Sequence, residues 1–242
     1  MNGRLLDLLV EPVLWLIASG SGAILAALFI KKYFKIGEEA KPFILGIGMF
    51  ALFFTIARTI ETIRRYFGIG SYYDIIDTNF GITGLNLGFR FTYYIISYTG
   101  IAIFYFVFER NVIKTGLKKN TRYILTIFSL AEIFFTCMLY FTGAAVWAMT
   151  GVIVLFFVIA FVPIYFFLYL AKTALSREQK IAWLIVTVGF VLFVLGVMGD
   201  LPEAYMITQY IPAEFIHYGT PLLQAGGSIL MGSGFAIIYK NV

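Results

Sequence analysis

Seven stretches of mostly apolar residues follow one another along the chain, at roughly 12–31, 42–65, 88–109, 121–142, 144–171, 180–199 and 216–239. About 20 apolar residues in a helix cross the hydrocarbon core of a bilayer. Inside lipid every backbone polar group must be satisfied internally, so helices or closed barrels are the available solutions. The pattern predicts an all-α integral membrane protein of seven transmembrane helices, multi-pass in the cell membrane, with residues 1–242 as one domain. Composition agrees: 61% of residues are hydrophobic and 13% charged, whereas soluble domains average about 45–50% and about 25%. Disorder is excluded, since it needs low hydrophobicity and high charge. The first apolar stretch is too long, and too poorly matched to a cleavage site, to read as a removable signal peptide.

Lys and Arg set the orientation. Lys31, Lys32, Lys35 and Lys41 lie in the first loop, and Arg110, Lys114, Lys118, Lys119 and Arg122 in the third. Lys172, Arg177 and Lys180 lie in the fifth, and Lys240 near the C-terminus. Thirteen of the 18 basic residues thus fall on one side. The opposite loops carry Asp7, Glu11, Asp74, Asp77, Asp200, Glu203 and Glu214, with Arg4 as their one loop cation. The bias predicts an outside N-terminus and a cytoplasmic C-terminus. It also predicts contact of the basic loops with anionic lipid head groups, which accounts for them without nucleic acid. A cytoplasmic signalling partner and a homo-oligomer are both compatible with such a surface.

Most connections are short, which favours sequential antiparallel neighbours. The second loop, 66–87, has short β-prone runs punctuated by Gly and Asn, and predicts a small β-hairpin. Small residues recur at four-residue spacing in the first helix (Ser19, Ala23, Ala27) and in the seventh (Ser228, Gly232, Ala236). Such stripes let helix backbones approach closely. Pro163 falls deep in the fifth helix, where it is expected to kink it.

Ionisable groups at membrane depth cost roughly 2.5–3.5 kcal/mol each on insertion scales, so they are the informative residues. On the second helix Arg58, Glu61 and Arg65 lie within about 60° of one another at 100° per residue. One reading is an Arg–Glu pair with Arg64 and Arg65 snorkelling outward; the other is a pocket wall or ion path. On the third helix Arg90, Tyr93, Tyr94 and Ser97 share a face that becomes apolar at Ile101 and Phe104. A polar mouth above an apolar floor is how small-ligand pockets are lined, although tyrosine also anchors at membrane interfaces. Glu132 stands near mid-membrane on the fourth helix, either protonated or paired with Arg58 or a tyrosine. On the seventh, Glu214, His217, Gln224 and Ser228 lie roughly on one face. Glu214-x-x-His217 has carboxylate–histidine metal spacing, but di-iron sites need two such motifs, so no metal is expected. The expected arrangement is one cluster of Arg58, Glu61 and Arg90 in the outer half, with Glu132 beneath it.

Catalytic and nucleotide motifs are missing: no G-x-S-x-G, H-E-x-x-H or P-loop occurs. One Cys (Cys137) and one His (His217) exclude a disulfide framework and a multi-histidine site. The single thiol, among Phe and Met, reads as buried and inert.

Several segments resemble the microbial (type I) rhodopsins. The first helix and loop, WLIASGSGAILAALFIKKYFKIGEEAKPF, look like the opsin first helix and re-entry. R-F-T-Y-Y-I-I-S from Arg90 resembles the opsin R-x-x-D-W-x-x-T motif, and the closing G-F-A-I-I-Y-K resembles the opsin ending. On that resemblance Arg90 matches the family's arginine, Tyr94 its retinal-contacting tryptophan and Ser97 its threonine. The departures bear on chemistry. Tyr93 stands where the family has its carboxylate counter-ion. The retinal lysine would fall near Gly232, and no lysine occurs before Lys240. Without that amine no Schiff base forms. The resemblance therefore implies an opsin-like architecture without covalent retinal.

The leading expectation is a receptor-like or opsin-like protein, not an enzyme, with an outward-opening pocket among helices two, three, six and seven. The ligand would be a lipid, a non-covalent retinoid or carotenoid, or an anion drawn by Arg58 and Arg90. Further expected lining residues are Glu61, Tyr93, Tyr94, Ser97, Glu132, His217 and Gln224. A second expectation is a small transporter or channel that uses Glu132 and an Arg58–Glu61 pair. A third is an intramembrane lipid enzyme built from Glu61, Glu214 and His217.

Overall fold

The computed structural model describes residues 2–38, 40–66, 85–111, 123–141, 146–199 and 218–240. The expected β-hairpin, Glu214 and His217 lie outside these. Seven helices follow in order: α1 Asn2–Tyr33, α2 Lys41–Tyr66, α3 Leu85–Asn111, α4 Ile124–Phe141, α5 Val146–Thr173, α6 Arg177–Met198 and α7 Thr220–Ile238. Each contains a stretch long and apolar enough to cross a membrane, so the chain is a multi-pass membrane protein.

The helix starts have local causes. Ser176 takes an extended conformation and its hydroxyl accepts from the Gln179 amide, capping α6. Pro221 sits in the first turn of α7, where its missing amide proton is not needed. Helix α1 begins at Asn2, about ten residues before its expected start. Pro12 lies inside it and deletes one backbone donor, but the leucine-rich run on either side continues the helix through it. Pro163 likewise lies within α5.

Each helix packs on its sequence neighbours, and α1 meets α7 to close the ring. Below, "inner" means the end of the basic loops and "outer" the end of the N-terminus. The inner third of the core is aromatic. The Phe43 and Phe235 rings meet edge-on at 5.7 Å, and Phe167 stacks on Trp183 at 5.9 Å. Tyr239 closes this end, and burial raises its phenol above the ordinary tyrosine range.

The most extensive contact is between α6 and α7. Ala182, Gly189 and Gly196 on α6 oppose Gly234, Gly227 and Thr220 on α7, in antiparallel register. A Cβ at Gly189 would lie 2.6 Å from the Met231 amide nitrogen, and one at Gly234 would lie 2.7 Å from the Ala182 carbonyl oxygen. The spacing is seven residues on both helices, the repeat that keeps one seam facing its partner along a left-handed crossing. The expected four-residue stripes hold in part: Ser19, Ser228 and Gly232 are buried, but Ala23, Ala27 and Ala236 are exposed, and the buried small residues of α1 are Ala18, Gly22 and Ala26, one position earlier along the helix.

Candidate functional site

Helix α2 points Arg58 into the bundle, where it is 1% exposed. Its guanidinium lies 4.9 Å from the Trp15 ring centroid on α1, 4.8 Å from Tyr93 on α3 and 5.5 Å from Phe54 one turn below. Three π faces in this dry setting stabilise a cation that lipid would reject. Trp15 in turn donates from its indole to Glu11 Oε1 at 3.4 Å.

One turn outward, Glu61 and Arg64 form a fork. Arg64 Nε donates to Oε2 at 2.8 Å and Nη2 to Oε1 at 2.6 Å. Arg64 is fully buried, which corrects its expected outward snorkelling: the i, i+3 carboxylate supplies a bidentate partner inside. The Arg65 side chain lies outside the description. On α3, Arg90 donates to the Tyr94 hydroxyl at 3.4 Å and lies 5.8 Å from that ring. Tyr94 stacks on Tyr98 with ring centroids 6.2 Å apart.

Beneath this layer lies a cavity of about 70 Å³, walled by residues of six helices. The wall is nearly all hydrocarbon and ring: Leu25 and Phe29 from α1, Phe50 and Phe54 from α2, Phe104 from α3, Phe193 from α6, with Ala160 of α5 and Gly232 of α7 among the smaller residues. Tyr105 and Ser228 are its polar members, and the Tyr105 hydroxyl already donates to the Ile159 carbonyl. A second space of about 40 Å³ adjoins it on the outer side. The two share Phe50, Phe54, Ile101, Phe156, Phe193 and Val197. What the outer one adds is polar: Arg58, Tyr93, Tyr94, Ser97 and Tyr98. The Ser97 hydroxyl oxygen is buried and has no hydrogen-bond partner among the described residues. An apolar space thus adjoins one whose added wall residues are polar.

The candidate residues therefore divide. Arg58, Tyr93, Tyr94 and Ser97 meet at the outer space, and Arg90 supports it from behind Tyr94. Glu61 instead joins Arg64. Glu132 is fully buried on the inward face of α4, with Ser129 and Thr136, but no residue of α4 lines either cavity. Gln224 is buried at the α6–α7 seam, where its side-chain amide donates to the Gly196 carbonyl at 2.9 Å. It also lines neither cavity. His217 lies outside the described residues. The pocket expected among helices two, three, six and seven also takes walls from α1 and α5.

Sequence reasoning passed over Trp15, Tyr98 and Phe193. Trp15 stands one turn before Ser19 on the inward face of α1, which was a usable signal. Glu109 was passed over too. From the end of α3 its carboxylate accepts from the Leu125 amide at 2.7 Å, the Thr126 amide at 3.1 Å and the Thr126 hydroxyl at 2.6 Å. It caps α4 from a neighbouring helix. It is the last residue of the expected third span, beside Arg110, and nothing in the sequence alone shows that it reaches α4.

Set against protein-family models, curated proteins and solved structures, the chain matches none.

Proposed function

We propose that this protein is a receptor-like or opsin-like seven-helix membrane protein that holds a small, mainly apolar ligand non-covalently at the centre of its bundle. Two adjoining cavities carry this reading, one with aromatic walls from six helices and one with polar residues added at its outer side. Apolar enclosure with a few convergent polar groups is the usual make-up of a ligand site. A retinoid, a carotenoid or a lipid chain suits the walls. The resemblance to microbial rhodopsins agrees with a ligand placed here, and Gly232 in the cavity wall rules out an amine from that position.

This reading is favoured over proton-coupled transport because Glu132 stands apart from both cavities. It is favoured over a lipid enzyme because, among the described residues, neither cavity wall carries a carboxylate or an imidazole.

The test is native mass spectrometry of protein extracted in mild detergent, with Ala160→Phe as the cavity-filling variant. Wild type should carry a discrete small apolar adduct, native or after exposure to retinoids, carotenoids or fatty acyl compounds, and Ala160→Phe should lose it. No adduct and no thermal shift with any of these ligands would overturn the proposal.

A further inference from the structure

Resting on the reading above, we infer that the ligand is an uncharged, hydrocarbon-soluble molecule taken from the bilayer itself, which enters the inner cavity sideways between α1 and α7 through a portal closed by the Leu25 side chain. The ring of helices has one seam that no loop ties. Among the described residues, the extensive helix contacts join consecutive elements, apart from that of α1 with α7. This seam is clamped at two levels. At the outer one, Trp15 and Ala18 pack with Ala225. At the inner one, Lys32 Nζ donates to the Tyr239 carbonyl at 2.8 Å and lies 5.9 Å from that ring. Leu25 falls between the clamps, about 15 Å inward of Trp15 and about 10 Å outward of Lys32 along α1, at 1.5 Å per residue.

At this middle level the seam is one side chain thick. Gly22 and Leu25 of α1 and Ser228 and Gly232 of α7 line the cavity there. The Leu25 Cδ2 methyl fills the place that a Cβ at Gly232 would take. Of the cavity's wall residues on these two helices, Leu25 alone is only partly buried. Its helix neighbours Ile24 and Leu28 are exposed, and Gly22 and Phe29 are buried, so Leu25 stands at the border of bilayer and cavity. The other partly buried wall residues, Phe50, Ile101 and Val197, line the second space as well. A leucine can change rotamer without moving the backbone. The rest of the wall offers less freedom. Phe54 is locked on Phe193 at 4.9 Å, and at the α6–α7 seam backbone meets backbone. The wall also sets the chemistry. Among the described residues no charged side chain lines the inner cavity, and the Tyr105 hydroxyl already donates to the Ile159 carbonyl. A charged group would be buried there without a partner. An uncharged hydrocarbon would not, and such molecules concentrate in the bilayer core onto which the portal opens.

The experiment uses full-length protein in liposomes, with Cys137→Ser as the background of every variant. The probe is a decane bearing one diazirine and no polar head. Samples are flash-illuminated at intervals after the probe is added, and mass spectrometry follows labelling of the buried Phe104 and Phe193 relative to the exposed Leu130. The lock is Leu25→Cys/Gly232→Cys. Leu25 Cγ lies 3.3 Å from the Cβ position of Gly232, which places the two Cβ atoms near disulfide range. The control is Ile30→Cys/Gly48→Cys, with the same 3.3 Å geometry but between α1 and α2. Oxidising the lock should slow cavity labelling roughly tenfold, and reduction should restore it. The control should change nothing. Leu25→Ala should speed labelling several-fold with its plateau retained, and this arm stands even if the lock disulfide does not form. Equal rates with the lock oxidised and reduced, equal slowing by lock and control, or no acceleration in Leu25→Ala would overturn the portal and leave the binding proposal standing. Absence of cavity labelling in every variant overturns both.

Discussion

Gly189 and Gly227 lie so close across the α6–α7 seam that a Cβ on either would stand within 2.8 Å of the other's carbonyl oxygen. The obstacle is backbone, which cannot swing aside as a side-chain tip can. Alanine favours a helix over glycine by up to about 1 kcal/mol, but overpacking a tight contact costs about 1–3 kcal/mol. Gly189→Ala and Gly227→Ala should therefore each lower the melting temperature in detergent. Gly226→Ala is the internal control: its Cβ would meet nothing within 4 Å, so it should be neutral or slightly stabilising. Equal effects at Gly226 and Gly227 would contradict the seam.

The Glu61–Arg64 fork makes a different prediction. Removing one partner of a buried ion pair leaves an uncompensated charge and costs about 3–5 kcal/mol. Glu61→Ala should be severely destabilised, and the double variant Glu61→Ala/Arg64→Met should recover much of the loss, a non-additivity expected of residues in direct contact. Thermal unfolding of the two singles and the double measures it. Additive losses would show that the fork contributes no coupling.

Retinal supplies a chemical check. Helix α7 contains no lysine between Thr220 and Ile238, and the Gly232 site is covered by the Leu25 side chain. All-trans retinal should give no borohydride-trappable adduct and no strongly red-shifted band. A visible band bleached by hydroxylamine would prove this wrong and would direct attention to another lysine.

Tags placed at residue 2 and after Val242 should report opposite sides of the membrane, extracellular and cytoplasmic in that order. The basis is the loop charge bias. Finding both on the same side would break the seven-span topology.

The seven spans were legible because total apolarity decides them, and it survives errors of angle. What depended on angle fared unevenly. Tyr93, Tyr94 and Ser97 share a face because residues three and four apart on a helix do, and the packing of α2 on α3 brings Arg58 to them. Arg64 was misplaced because snorkelling and inward pairing start from the same sequence position. Only the three-dimensional surroundings of Glu61 distinguish them. The α6–α7 seam was missed because a seven-residue glycine spacing carries meaning only when a partner helix presents the same spacing in antiparallel register. Gln224 shows the same limit: its polarity suggested a ligand contact, and its amide is taken by the Gly196 carbonyl.

The Glu109 carboxylate has a consequence for how the protein is made. The first amides of α4 find their acceptor on α3, so α4 leaving a translocon alone would enter lipid with bare donors, each costly to bury. The third and fourth segments are therefore expected to partition into the bilayer together, as a hairpin. A ribosome-stalled chain extended beyond residue 141 by a linker long enough to clear the exit tunnel should insert its fourth segment fully, whereas the same chain with Glu109→Ala should strand a measurable share of it outside the bilayer.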